Sequence, residues 1–146
     1  AWDPERPELR PGMPVWMRLK NGLYMVVFEV GDPSVKPEAT FYIYYKTSKN
    51  GVDWEPGIGT LIPEQWGGPY LEQLEDGRLL VSSNAGVISV GNEEGAQWKT
   101  LEPPAFPSFT WSSLKALEGN RFAVFNSCSR EAGGHNIQLR FGELEK

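Results

Sequence analysis

Glu29 closes the run Met25-Val26-Val27-Phe28-Glu29, four apolar residues that give no reason for an acid at their end. A carboxylate at the end of a buried strand can act as nucleophile, general acid or general base, or accept a ligand hydroxyl. If Leu19 pairs with Leu23 across Asn21-Gly22, partner numbers sum to about 42, which sets Glu29 opposite Met13 and near Arg10. A structural salt bridge between Glu29 and Arg10 is the competing role. The same address in two later segments holds Asn84 and Ser127, both able to hydrogen-bond a hydroxyl. Trp66, Tyr70 and Trp111 stand at or just before first strands, where exposed rings stack on sugars and buried ones form core. Glu72 is a possible second acid, although a mid-strand Glu is more simply solvated or paired. Arg130 and His135 bracket the loop 129–135, and a single His without a His or Cys companion is a poor metal ligand.

These side chains depend on a unit that recurs three times. Segments 14–29, 69–84 and 112–127 align on Leu19, Leu74 and Leu117, which are 55 and 43 residues apart. Each reads strand, tight turn, strand, and the spacing is that of propeller blades. Asn21-Gly22 and Asp76-Gly77 suit two-residue type I′ turns, with Gly119-Asn120 less ideal in the same place. Val26, Val27, Val81, Phe122 and Val124 are β-branched or aromatic and lack helical period, as expected of strands buried on both faces.

A third strand and a corner follow each of the first two hairpins. Residues 40–46 lead to Thr47-Ser48-Lys49-Asn50-Gly51-Val52-Asp53-Trp54, and residues 86–90 lead to Gly91-Asn92-Glu93-Glu94-Gly95-Ala96-Gln97-Trp98. The Gly permits the corner and the Trp plugs it. Outer strands are expected at 60–62 and 99–101, whereas the third unit ends in a strand at 136–144 with none after it. The expectation is one all-β half-propeller domain of about three four-stranded blades, roughly 10–63, 64–104 and 105–146, with 1–9 as an extension or outer strand. Open arrays leave sheet faces bare, so a homodimer or a missing N-terminal half is expected to complete the ring.

Composition narrows the function classes. With 146 residues and a net charge of −5, the chain has room for a single core, and its scattered Lys and Arg form no stripe for nucleic acid. No long apolar segment suggests a membrane span, and Ala1 to Arg6 shows neither a basic start nor an apolar stretch of a signal peptide. The compartment is left open, a secreted or extracytoplasmic one included. Cys128 is the single cysteine, which excludes an internal disulfide and a thiolate metal cluster. No metal and no cofactor is expected.

Arg10-Pro11-Gly12-Met13-Pro14, followed by Leu19-Lys20-Asn21-Gly22-Leu23-Tyr24-Met25-Val26-Val27-Phe28-Glu29, resembles R-P-G-M-P…L-P-N-G-K-Y-M-M-T-Y-E of glycoside hydrolase family 93, the exo-α-1,5-L-arabinanases. Gly67-Gly68-Pro69-Tyr70 is similar to that family's S-S-P-Y, and Ser108-Phe109-Thr110 to its S-Y-T, with Phe109 in place of the tyrosine. Both corners resemble the Asp-box of sialidase-like propellers, S-x-D-x-G-x-T-W, with Lys49 and Glu93 at the acidic position. The resemblance runs from Arg10 to Leu144 and corresponds to the C-terminal half of a family member. It implies a six-bladed ring and a retaining, exo-acting glycosidase that releases arabinobiose from linear arabinan. Glu29 matches one of the family's two catalytic glutamates, and the other belongs to the half not represented here. Gln65 and Ser108 occupy the positions equivalent to Arg10 in the later units, which argues against a sialic acid substrate. A polysaccharide or oligosaccharide partner is therefore expected. A non-catalytic carbohydrate-binding or assembly module and a purely structural segment are the competing classes.

Overall fold

The computed structural model describes residues 5–31, 41–108, 110–129 and 134–145. Three antiparallel sheets follow one another along the chain. The first contains β1 (Arg10–Arg18), β2 (Tyr24–Gly31), β3 (Phe41–Ser48) and β4 (Thr60–Trp66) in sequential order. The second repeats this with β5 (Tyr70–Gln73), β6 (Leu79–Ser82), β7 (Ile88–Gly91) and β8 (Lys99–Thr100). The third has β9 (Ser112–Ala116), β10 (Arg121–Ser129) and β11 (His135–Glu143), with no fourth strand among the described residues. The sheets form an arc of blades and close no ring.

The hairpin turns differ from the expected two-residue form. Leu19 N–H donates to Leu23 O at 2.7 Å and Gly22 N–H to Leu19 O at 2.9 Å, so the loop is Lys20-Asn21-Gly22. Leu74, Gly77 and Arg78 repeat the arrangement at 2.9 and 3.1 Å. The glycine takes a φ of +89° at Gly22 and +95° at Gly77, while Asn21 and Asp76 stay out of the left-handed region. This is a type I turn closed by a left-handed glycine, which needs only one residue of positive φ. Asn21 Oδ1 and Asp76 Oδ1 cap it by accepting the N–H groups of Leu23 and Arg78. The third turn also spans three residues, with Leu117 N–H donating to Arg121 O.

Alternation along the strands decides which side chains meet. Met25, Val27 and Ile43 of the first sheet pack with Leu71, Leu79 and Val81 of the second, all buried. Leu80 and Ile88, on the opposite face of the second sheet, pack with Leu114, Phe122 and Val124 of the third. Truncating one of these side chains to Ala costs about 2–5 kcal/mol. The turns are stitched from blade to blade as well: Lys20 Nζ donates to Glu75 O at 2.8 Å, and Gly119 N–H donates to Glu75 Oε2 at 2.9 Å. Both corners close alike, with Trp54 Nε1 donating to Gly51 O and Trp98 Nε1 to Gly95 O, each at 3.2 Å. Ser48 and Asn50 supply the polar caps of the first corner, and Asn92 those of the second.

Leu9 is buried against Phe28 and Val30, on the outer face of the first sheet.

Candidate functional site

Glu29 stands near the end of β2, between Gly12 on β1 and Ile43 on β3. The pairing with Met13 expected from a constant register does not form. A bulge between Gly12 and Val15 shifts the ladder by one, and Met13 takes the extra position with a φ of +46°. The shift sets Glu29 against a residue with no side chain. A Cβ on Gly12 would lie 2.9 Å from Glu29 Oε1, so the carboxylate occupies the space that glycine leaves. Arg10 pairs with Gly31 instead, and its guanidinium lies 5.8 Å from the centre of the Phe41 ring. No ion pair joins it to Glu29. The cause is again a missing side chain: at Gly31 the Phe41 ring fills the gap, with Cε1 2.6 Å from where a Cβ would be.

The partner of Glu29 comes from the next blade. Its Oε2 accepts the N–H of Gly68 at 3.0 Å. Gly67 and Gly68 both adopt positive φ, +63° and +47°, which turns this N–H toward the carboxylate. Gly67 fastens the corner on both sides, donating to Phe41 O at 2.7 Å and accepting from Asn84 N–H at 3.0 Å. Across Gly68 lies Trp111, whose Cζ3 is 2.8 Å from the Cβ position, with Asn84 Oδ1 at 3.3 Å. Glu29, Asn84 and Trp111 therefore surround one glycine where the three blades converge.

Beyond Trp111 opens a cavity of about 250 Å³ lined by Tyr70, Trp111, Ser112, Asn126 and Ser127. Trp111 is 58% exposed and Tyr70 42%, which leaves both rings available to a ligand. Asn126 is 1% exposed, yet its Oδ1 has no donor, and the same is true of the buried Oδ1 of Asn84. Nδ2 of Asn126 donates to Ser127 O at 3.3 Å. Such orphaned acceptors cost about 1–3 kcal/mol each unless a ligand or water supplies the donor. The sequence reading missed Asn126. Its signal was a polar residue continuing the inward row Phe122, Val124.

The other candidates fall elsewhere. Trp66 closes β4 and is half-buried, its backbone N–H donating to Ser83 Oγ. Gln65 is buried within the blade seam, donating to Val87 O and Ser89 Oγ and accepting from Ser83 Oγ, so no part of it is free for substrate. Glu72 accepts two bonds from Lys115 Nζ, at 3.2 and 3.3 Å, and one from Ala116 N–H at 3.2 Å. It is a clamp between β5 and β9. His135 begins β11 and is exposed, opposite Ser129. Arg130 and Phe109 lie outside the described residues. Among the described residues no three His, Cys, Asp or Glu side chains converge.

No family model and no curated protein sequence matches the chain. Solved structures do. An α-L-arabinanase of Penicillium chrysogenum complexed with arabinobiose superposes with a TM-score of 0.69 at 23% identity, over 90% of this chain and 42% of that one. The GH93 α-L-arabinofuranosidase of Fusarium graminearum, also with arabinobiose, gives 0.70 at 20% identity, over 92% and 43%. A protein of unknown function from Dyadobacter fermentans gives 0.71 at 18% identity, over 97% and 53%. At these identities the likeness establishes the fold alone: three consecutive sheets arranged as propeller blades. The chain spans less than half the length of the two arabinose-related proteins.

Proposed function

We propose that the chain carries half of a carbohydrate-active propeller site of the glycoside hydrolase kind, acting on linear arabinan or its oligosaccharides. The observation that carries this is the convergence on Gly68: a half-buried carboxylate oriented by a backbone N–H, beside an exposed Trp and an amide acceptor with no donor. That set offers what sugar recognition requires, a stacking face and fixed polar groups that exchange hydrogen bonds with ring hydroxyls. Two proteins of the same fold hold arabinobiose, which supports a pentose oligosaccharide as the ligand.

Retaining hydrolysis uses two carboxyl groups roughly 5–5.5 Å apart, one as nucleophile and one as acid and base. Glu29 supplies one of them. With Glu72 committed to Lys115 and Ala116, the second comes from outside this chain. The same commitment favours a second reading, in which the chain binds the sugar without cleaving it. Polysaccharide of this type is met outside the cell, which supports an extracytoplasmic location. The deciding experiment incubates the protein with linear arabinan and measures release of arabinobiose, with and without Glu29→Gln. Turnover reduced more than about a hundredfold by that change supports the hydrolase reading. Affinity for arabino-oligosaccharides without turnover supports the binding module, and absence of both refutes the two together.

A further inference from the structure

Gly67 and Gly68 join the first blade to the second, and glycine takes positive and negative φ about equally, so the direction of their shared peptide needs an outside constraint. That one peptide unit does two jobs. Its carbonyl, Gly67 O, accepts Asn84 N–H at 3.0 Å, and its amide, Gly68 N–H, donates to Glu29 Oε2 at 3.0 Å. In a trans peptide the two groups point opposite ways, so whatever fixes the Asn84 bond also fixes the Glu29 bond.

The constraint is a buried polar network on the adjoining residues. Ser83, which precedes Asn84, is 0% exposed, and Gln65, which precedes Trp66, is 1% exposed. Ser83 Oγ accepts Trp66 N–H at 3.2 Å and Ala85 N–H at 3.3 Å, and donates its own proton to Gln65 Oε1. Gln65 Nε2 donates to Ser89 Oγ at 2.8 Å and to Val87 O at 3.2 Å. The hydroxyl's donor and both its acceptor sites are thereby used, as are both amide hydrogens of Gln65. A network in this condition adds little net stability over an apolar side chain of the same shape, but it admits one arrangement of the groups it joins.

We propose that Gln65 is a positioning residue for Glu29. Its amide, anchored at Val87 and Ser89, orients the Ser83 hydroxyl, which clamps Trp66 and Ala85 on either side of the Gly67–Asn84 bond and so turns Gly68 N–H onto the carboxylate. The inference rests on the reading of Glu29 as the ligand-facing carboxylate for its effect on sugar, whereas the direction of the peptide is measurable without any ligand.

Native-state hydrogen exchange of single amides, read by NMR, tests it together with titration of arabinotriose. Gln65→Met keeps the length of the side chain and removes its bonds; the Gly68 and Asn84 amides should exchange about tenfold faster, while Leu80 and Val81 in the middle of β6 keep their wild-type rates. Affinity for arabinotriose should fall by roughly tenfold in the same variant. Ser89→Ala, a smaller change that frees one arm of the amide, should give the same pattern at lower amplitude. Lys20→Met cuts the bond from Lys20 Nζ to Glu75 O at the far end of the same blade seam and should leave Gly68 unchanged. Gly68 exchanging at the wild-type rate in whichever of the Gln65 and Ser89 variants folds overturns the proposal. So does equal acceleration of Leu80 and Val81, or of Gly68 in Lys20→Met, since each marks a general loosening of the seam. Faster exchange at Gly68 with arabinotriose affinity intact also removes the positioning role. A wild-type chain that binds no arabinotriose refutes the sugar reading, and the amide rates then decide the proposal by themselves.

Discussion

Gly12→Ala isolates the carboxylate of Glu29 without touching its charge. Gly12 does not use a positive φ, so alanine is compatible with the backbone, and its restriction of the unfolded chain is worth about 0.4–1 kcal/mol in favour of folding. The new Cβ would meet Glu29 Oε1 at 2.9 Å, with Cγ at 3.4 Å and Cδ at 3.6 Å. Only Oε1 is too close, and it belongs to the movable end of the side chain. A retreat of roughly 0.5 Å restores ordinary contact but pulls Oε2 from Gly68 N–H, stretching a 3.0 Å bond to the limit of useful geometry. Losing part of a charge-assisted bond of about 1.5–3 kcal/mol, at a half-exposed site, offsets the entropy gain. The melting temperature should stay within about 4 °C of wild type by calorimetry. Sugar handling should not. A displacement of about 1 Å costs on the order of a hundredfold in an oriented site, so half of that should weaken arabino-oligosaccharide affinity or turnover by roughly tenfold. Titration calorimetry with arabinotriose reads the first, and arabinobiose release the second. Unchanged affinity at unchanged melting temperature would falsify the placement of Glu29 at the ligand, and a fall of 10 °C or more would make it a structural anchor.

Two other substitutions separate structure from chemistry. Glu72→Gln should remove the attraction to Lys115 and lower stability by about 1 kcal/mol, discounted for the exposed lysine, while leaving turnover intact; lost turnover with an unchanged melting temperature would instead identify Glu72 as the second catalytic carboxyl. Asn126→Leu replaces a buried acceptor that has no donor by an apolar group of similar volume, so the free protein should melt at the same temperature or higher. Its affinity for arabino-oligosaccharides should drop by about tenfold if a ligand hydroxyl fills that bond, and an unchanged affinity would assign Asn126 to the core alone.

The blade order was legible because it rests on local chemistry. Three hairpins with glycine at the turn, alternating apolar strands and a Gly…Trp corner announce themselves residue by residue. What escaped the sequence were departures from period. The extra residue at Met13 moved Glu29 from one partner to another, and nothing in Gly12-Met13-Pro14 marks which residue will bulge. The two-residue turn was expected from Asn-Gly and Asp-Gly, but the same dipeptides close a three-residue loop equally well, since only the glycine must be left-handed. Gln65 stands at the position equivalent to Arg10, and its burial is set by Ser83 and Ser89, which come close only once the blades are packed.

These departures share a cause that bears on function. Each of the two internal interfaces has an apolar cluster with polar contacts at both ends, and the end that holds Glu29 and Asn84 is where β2 and β6 finish beside the start of the next blade. There the backbone must leave its ladder, so left-handed residues accumulate at Met13, Gly67 and Gly68, and N–H groups turn away from strand partners. Glu29 takes one of them. Asn84, at the same address one blade later, meets Trp111 in place of a glycine and is left with an acceptor unfilled. Ser127, two blades later, has no blade beyond it among the described residues. The three positions thus differ in how far their neighbours satisfy them, from a carboxylate held by a donor to a hydroxyl on a bare face. The gradient runs along the arc from the first blade to the third, so the three equivalent positions offer a ligand progressively less committed polar groups.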